Sequence, residues 1–161
     1  MPICNINEFL NKKYTKPKYM CLDIGKKKYG VAFSDPSLSF SLPHKVLIKK
    51  KNLDNEIVDI IINHEISAII IGLPLNDDGS KNKKCQSIRD VTIELNKNFL
   101  GKDISIDIIF WDESYSSNVA LEKMQHISRK NSKKFVIDKF AACIILQDFL
   151  DYIKIIKNAK N

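Results

Sequence analysis

The chain has 161 residues, 44% of them hydrophobic and 28% charged, which suits one soluble globular domain with a real core. No stretch approaches the roughly 18 apolar residues of a membrane span, and the first residues lack the apolar core of a signal peptide, so a cytoplasmic protein is expected. The formal net charge of +7 points to a polyanionic partner, nucleic acid first and a membrane surface second.

Residues 1–17 form a polar extension with one apolar patch at Phe9 and Leu10, expected to be a loose or short helical lead-in ending at Pro17. The domain proper is expected over 18–157, with a short tail at 158–161. Lys18 to Asp35, KYMCLDIGKKKYGVAFSD, reads as two strands joined by a glycine-bounded basic turn. Tyr19 to Leu22 and Ile24 make a nearly continuous apolar run, as in a strand covered on both faces. Gly25 and Gly30 bracket Lys26, Lys27 and Lys28, so the turn presents cations at its tip. Asp23 interrupts the run. A carboxylate there is costly unless a charge or a hydrogen-bond donor meets it. Pairing with a nearby lysine would meet it without any function, and this alternative stays open.

Asp35-Pro36 marks a turn, and 39–49 reads as a third strand of a meander, irregular near Pro43. Lys49, Lys50 and Lys51 read as a solvated strand end. Residues 53–63 switch to helical period, with Asn52 as N-cap. Residues 67–72, SAIIIG, have the pattern of a buried parallel strand. The loop 72–80 leaves its carboxyl end, where ligands collect in open α/β sheets, and carries Asn76 as a substrate-binding candidate. A helix is expected over 81–99, ended by Gly101. The strand 105–111 delivers Asp112 and Glu113 at its carboxyl end, and a helix follows over roughly 116–126. Residues 127–135, ISRKNSKKF, read as a basic loop suited to phosphate contact, with Arg129 and Lys130 as candidates. The last helix is expected from Val136 to about Ile156. Asp138 would then sit in its first turn, where capping alone explains a carboxylate.

Cys4, Cys21, Cys85 and Cys143 lie far apart without a CxxC pair and read as neither a zinc site nor a disulfide framework. Three acidic positions, Asp23, Asp112-Glu113 and Asp138, instead suggest a carboxylate cluster for a hard cation, Mg²⁺ or Mn²⁺. Such ions support phosphodiester hydrolysis, and a basic surface would carry the substrate backbone past them.

The segments Asp23 to Ala32 (DIGKKKYGVA), Ser34-Asp35-Pro36, Gly72 to Ser80 (GLPLNDDGS), Asp112-Glu113-Ser114 and Asp138 to Ala142 (DKFAA) resemble the YqgF/RuvX family. These are Holliday-junction-resolvase-like proteins regarded as nucleases of the 5′ end of pre-16S rRNA. The resemblance covers about residues 19 to 151. It implies an RNase H-like α/β fold: a mixed five-stranded sheet, an antiparallel meander plus two parallel strands, flanked by helices. It implies Asp23, Glu113 and Asp138 as catalytic metal ligands, with Asp112 as the second candidate because alternation sends Asp112 and Glu113 to opposite sides. Lys26, Lys27 and Lys28 would contact phosphate. The family has an arginine where this chain has Ser114, which removes a bidentate phosphate contact; Arg129 or a nearby lysine is the candidate substitute.

The implied activity is metal-dependent cleavage of structured RNA by a monomer or weak homodimer. The alternatives are a junction resolvase on branched DNA and a non-catalytic RNA-binding factor associated with the ribosome. An actin-like or sugar-kinase-like ATPase needs two lobes, and this chain has length for one.

Overall fold

The computed structural model describes residues 3–74, 82–112 and 133–160, with the side chains of the last stretch given from Phe140 onward. Among these residues six strands make one mixed sheet: β1 (Ile3–Cys4), β2 (Tyr19–Ile24), β3 (Lys28–Ser34), β4 (Ser41–Ile48), β5 (Ala68–Leu73) and β6 (Asp107–Asp112). Their order is β1-β6-β5-β2-β3-β4. The helices are α1 (Ile6–Leu10), α2 (Leu53–Asn63), α3 (Lys83–Gly101) and α4 (Lys133–Ala159).

The β2–β3–β4 meander is antiparallel, whereas β5 and β6 run parallel to β2, each reached through a crossover helix. The five expected strands are all present. The sixth, β1, comes from the N-terminal extension and pairs in parallel with the outer edge of β6. The extension is therefore built into the sheet. Asn5 and Glu8 close a capping box on α1, and Phe9 is buried against Tyr14, Tyr19 and Phe149. A two-residue strand carries no periodicity, which is why its sequence gives no sign of it.

Alternation along the strands sorts the core into two layers. Met20, Leu22, Ile24, Ile69, Ile71 and Ile108 face α2 and α3, whose Ile57, Ile88, Leu95 and Phe99 fill that side. Tyr19, Cys21, Ile70, Ile109 and Trp111 face α4, whose Leu146, Phe149 and Leu150 cover the other side. Both faces of β2 and β5 are thus buried, as their unbroken apolar runs require.

Several local details differ from expectation. Asn52 sits at the start of α2 but its side chain makes no capping bond, whereas Asn82 caps α3 by accepting from the Cys85 N–H at 2.8 Å. Gly101 is the last residue of α3, one position before its C-cap, Lys102. α4 begins at Lys133 instead of Val136, so the end of the expected basic loop is helix. Lysine is a good helix former, and its charge hid the continuation. Asp138 is accordingly the sixth residue of α4, beyond the first turn, which removes the capping explanation for it. The expected loop beyond Pro74 and helix over 116–126 lie outside the described residues.

Candidate functional site

β2 is central in the sheet, and Asp23 is its one residue that is not buried. It shares a face with Tyr19 and Cys21, the face crossed by α4. Its lateral neighbours on the two adjoining strands are glycines. Gly30 is its antiparallel partner on β3. On the other side, Asp23 draws level with Gly72 of β5, one step beyond the paired residues Leu22 and Ile71. Gly72 is in turn paired with Trp111, and Gly30 with Val46. One row across the sheet thus reads Trp111, Gly72, Asp23, Gly30, Val46, with the carboxylate between two glycines. Neither lateral neighbour brings a Cβ to the row, and Asp23 and Gly30 line a cavity together.

The basic turn follows directly. The Gly25 N–H donates to the Lys28 carbonyl at 3.0 Å and closes the hairpin. A Cβ on Gly25 would lie 2.7 Å from that carbonyl oxygen, so the turn requires glycine there. Lys26 and Lys27 are exposed at the tip, and Lys28, half-buried, opens β3. A cavity of about 410 Å³ is lined by Asp23, Lys26, Lys27, Lys28, Gly30 and Lys84, among others. The expected carboxylate and the expected cations therefore meet at one place.

Asp112 ends β6. It alternates with Trp111 and so takes the face of Phe110 and Ile108, opposite that of Asp23. α4 crosses the Asp23 face and carries position 138 one turn ahead of Ala142, which is fully buried in that layer. Glu113, Asn76, Arg129, Lys130 and the side chain of Asp138 lie outside the described residues. Among the described residues no three His, Cys, Asp or Glu side chains form a metal-holding group.

Sequence reading missed Lys84 and Val46 at this cavity and the glycine on each side of Asp23. Lys84 is remote in sequence, and only the topology brings it in. In the sequence Gly30 reads as a bracket of the basic turn, while its position opposite Asp23 depends on register.

Two other carboxylates are strongly perturbed. Asp35 accepts from the N–H groups of Ser39 and Phe40 at 2.8 and 2.7 Å and from Ser37. These bonds, that of Phe40 foremost, hold its carboxyl down at about 2 and fix the turn before β4. Asp148 on α4 lines a separate cavity of about 420 Å³ with Trp111, Asp151 and Tyr152. Burial first, and then the charge of Asp151, pushes its carboxyl up to about 6.

The family model described as "RuvX: Holliday junction resolvase" matches residues 17–152. A protein of Ehrlichia ruminantium (strain Welgevonden) named "Putative pre-16S rRNA nuclease" is 37% identical over 155 residues, covering 94% of this chain and 96% of its own. A protein of the same name from Sulfurihydrogenibium sp. (strain YO3AOP1) is 37% identical over 140 residues, covering 87% and 94%. Among solved structures, T. thermophilus RuvC in complex with a Holliday junction substrate superposes with a TM-score of 0.57 at 8% identity, covering 86% of this chain and 96% of that one. The yeast mitochondrial Holliday junction resolvase Ydc2 gives 0.55 at 12% identity, covering 94% and 87%. The fold is the RNase H-like fold of these resolvases, and the chain belongs to the RuvX family.

Proposed function

We propose that this protein is a metal-dependent endonuclease that hydrolyses phosphodiester bonds in structured RNA, acting at the 5′ end of pre-16S rRNA in the cytoplasm. The observation that carries the reading is the setting of Asp23: a carboxylate between two glycines on the central strand, opening into a lysine-lined cavity. The substrate follows the names of the relatives.

The residues present fit a hard cation. Asp23 offers oxygen donors, and the cavity it lines with Gly30 gives room for an ion that keeps several waters. Glu113 and Asp138 would complete the set. Asp112 on the opposite face favours Glu113 as the second ligand, by strand alternation. A bound Mg²⁺ or Mn²⁺ supplies Lewis acidity toward the phosphodiester. Lys26, Lys27 and Lys28 hold the phosphate backbone over the site and supply compensating charge. Ser114 stands where the family has arginine, so these lysines carry more of the phosphate contact in this chain.

A junction resolvase is the competing reading, on the family description and the shared fold. Incubating the protein with pre-16S RNA fragments and with a synthetic four-way DNA junction, in Mg²⁺ and in EDTA, separates the two. Cleavage of the RNA near its 5′ processing end, lost in EDTA, is expected. Paired symmetric nicks in the junction, with the RNA intact, would replace the proposal with the resolvase.

A further inference from the structure

The cavity beside Asp23 does not end at the hairpin. A second cavity, of about 620 Å³, shares Ile24, Gly25, Lys26 and Lys84 with it and continues along α3. Lys49 and Lys83 stand on its walls, and its floor is Tyr29, Ile88 and Val91. The two cavities form one groove. It runs from the Asp23 face of the sheet, around the hairpin, to the face covered by α3.

Among the described residues the charge along this groove is nearly one-sided. Lys26, Lys49, Lys83 and Lys84 are all exposed and come from three separate parts of the chain. Among the described residues Asp23 is the one acid that lines either cavity. Among the described residues the ion pairs, Lys12 with Asp107 and Lys50 with Glu56, leave these four lysines out. Lys83 and Lys84 are also the first two residues of α3, whose first turn holds no acid. Cations are unfavourable at that end of a helix dipole. Lysines retained against the dipole, facing other lysines across a groove, make a local field suited to a polyanion.

We infer that this groove is a track for the sugar–phosphate backbone, in which Lys49, Lys83 and Lys84 grip the strand several nucleotides away from the bond that is cut. The inference rests on the nuclease reading above and extends it. The substrate wraps the hairpin tip, and the α3 face anchors it while the Asp23 face meets the scissile phosphate. Each lysine that contacts phosphate releases a counterion, so its contribution is read in the salt dependence of binding.

The test is a titration of a labelled RNA hairpin and of a labelled four-way DNA junction, followed by anisotropy in EDTA from 50 to 300 mM salt. The variants are Lys49→Gln/Lys83→Gln/Lys84→Gln and, for an equal charge change elsewhere, Lys154→Gln/Lys157→Gln/Lys160→Gln at and just past the end of α4. The groove variant is expected to lower the slope of log K against log salt by about two to three and to weaken binding roughly ten- to hundredfold at moderate salt. The α4 variant is expected to leave the slope within about half a unit of wild type. The probe that shows the change identifies the backbone recognised. Equal loss in both variants, or an unchanged slope in the groove variant, overturns the track. If wild type meanwhile still cleaves in Mg²⁺, the nuclease reading stands without it; if wild type neither binds nor cleaves, both fall.

Discussion

Tyr19 and Asp23, four residues apart toward the two ends of β2, stand in surroundings that differ in kind. At its start, the Tyr19 N–H donates to Ser34 Oγ at 2.8 Å, the Lys18 N–H donates to Ser67 Oγ at 2.9 Å, and the Lys18 carbonyl accepts from the Ser67 N–H at 2.9 Å. The rings of Phe9, Tyr14, Tyr19 and Phe149 pack there with centroids 5.3–6.2 Å apart. Apolar surface is buried and the backbone is bonded. At the far end a carboxylate sits between glycines, and two cavities open in which, among the described residues, lysines face each other and Asp23 is the one acid. One end stabilises the fold; the other gathers lysines around a carboxylate beside open cavities. A strand spanning both can hold a strained electrostatic site rigidly, because its anchor is elsewhere.

Substitutions at each end should therefore separate activity from stability. The largest effect is expected for Asp23→Asn, which should slow single-turnover cleavage of an RNA fragment by roughly a thousandfold or more, about 4 kcal/mol of barrier. Its melting temperature should stay close to wild type; retained cleavage would break the comparison from the chemical side. Phe149→Ala acts at the other end, where Phe149 is fully buried within the ring cluster. It should lower the urea-unfolding free energy by about 3–5 kcal/mol, and the molecules that remain folded should still bind nucleic acid.

Smaller changes sharpen the picture. Gly25→Ala sets a methyl group against the Lys28 carbonyl and should cost about 1–3 kcal/mol in the same unfolding assay while displacing the lysine tip. Asp148→Asn should be stabilising at pH 7 by about 1 kcal/mol, after discounting for the solvent that reaches this side chain. The sign follows from its raised carboxyl. The folded state favours the neutral form, so the stability it contributes is complete below the usual value of 3.8 and is lost as pH rises through about 6. Melting curves from pH 4 to 7 should show wild type falling relative to the variant across that window, and parallel curves would refute the assignment.

Much of this organisation is legible in the sequence, for reasons that differ by element. α2 falls on the expected 53–63 because its apolar residues keep helical period throughout. β5 and β6 are read to within two residues at each end because their runs are continuous and buried. Asp23 stands out because a carboxylate within such a run has to be explained. β1 has too few residues to carry a pattern, and the first turn of α4 is disguised by its lysines. The setting of Asp23 is not legible, because Gly30 and Gly72 become its neighbours only through strand register. The same holds for Lys49 and Lys84, which meet across a groove that exists only once α3 packs on the sheet.

The central claim is that segments far apart in the chain converge on one cation at the end of β2. It is tested most directly by letting Fe²⁺ take the place of Mg²⁺ and generating hydroxyl radicals from it with ascorbate and peroxide, then mapping where the protein backbone is cut. Cuts clustered near residues 23, 72, 112–114 and 138, suppressed by excess Mg²⁺ and absent in Asp23→Asn, are the predicted result. Cuts that avoid the neighbourhood of Asp23, or a pattern indifferent to both Mg²⁺ and Asp23→Asn, would contradict it.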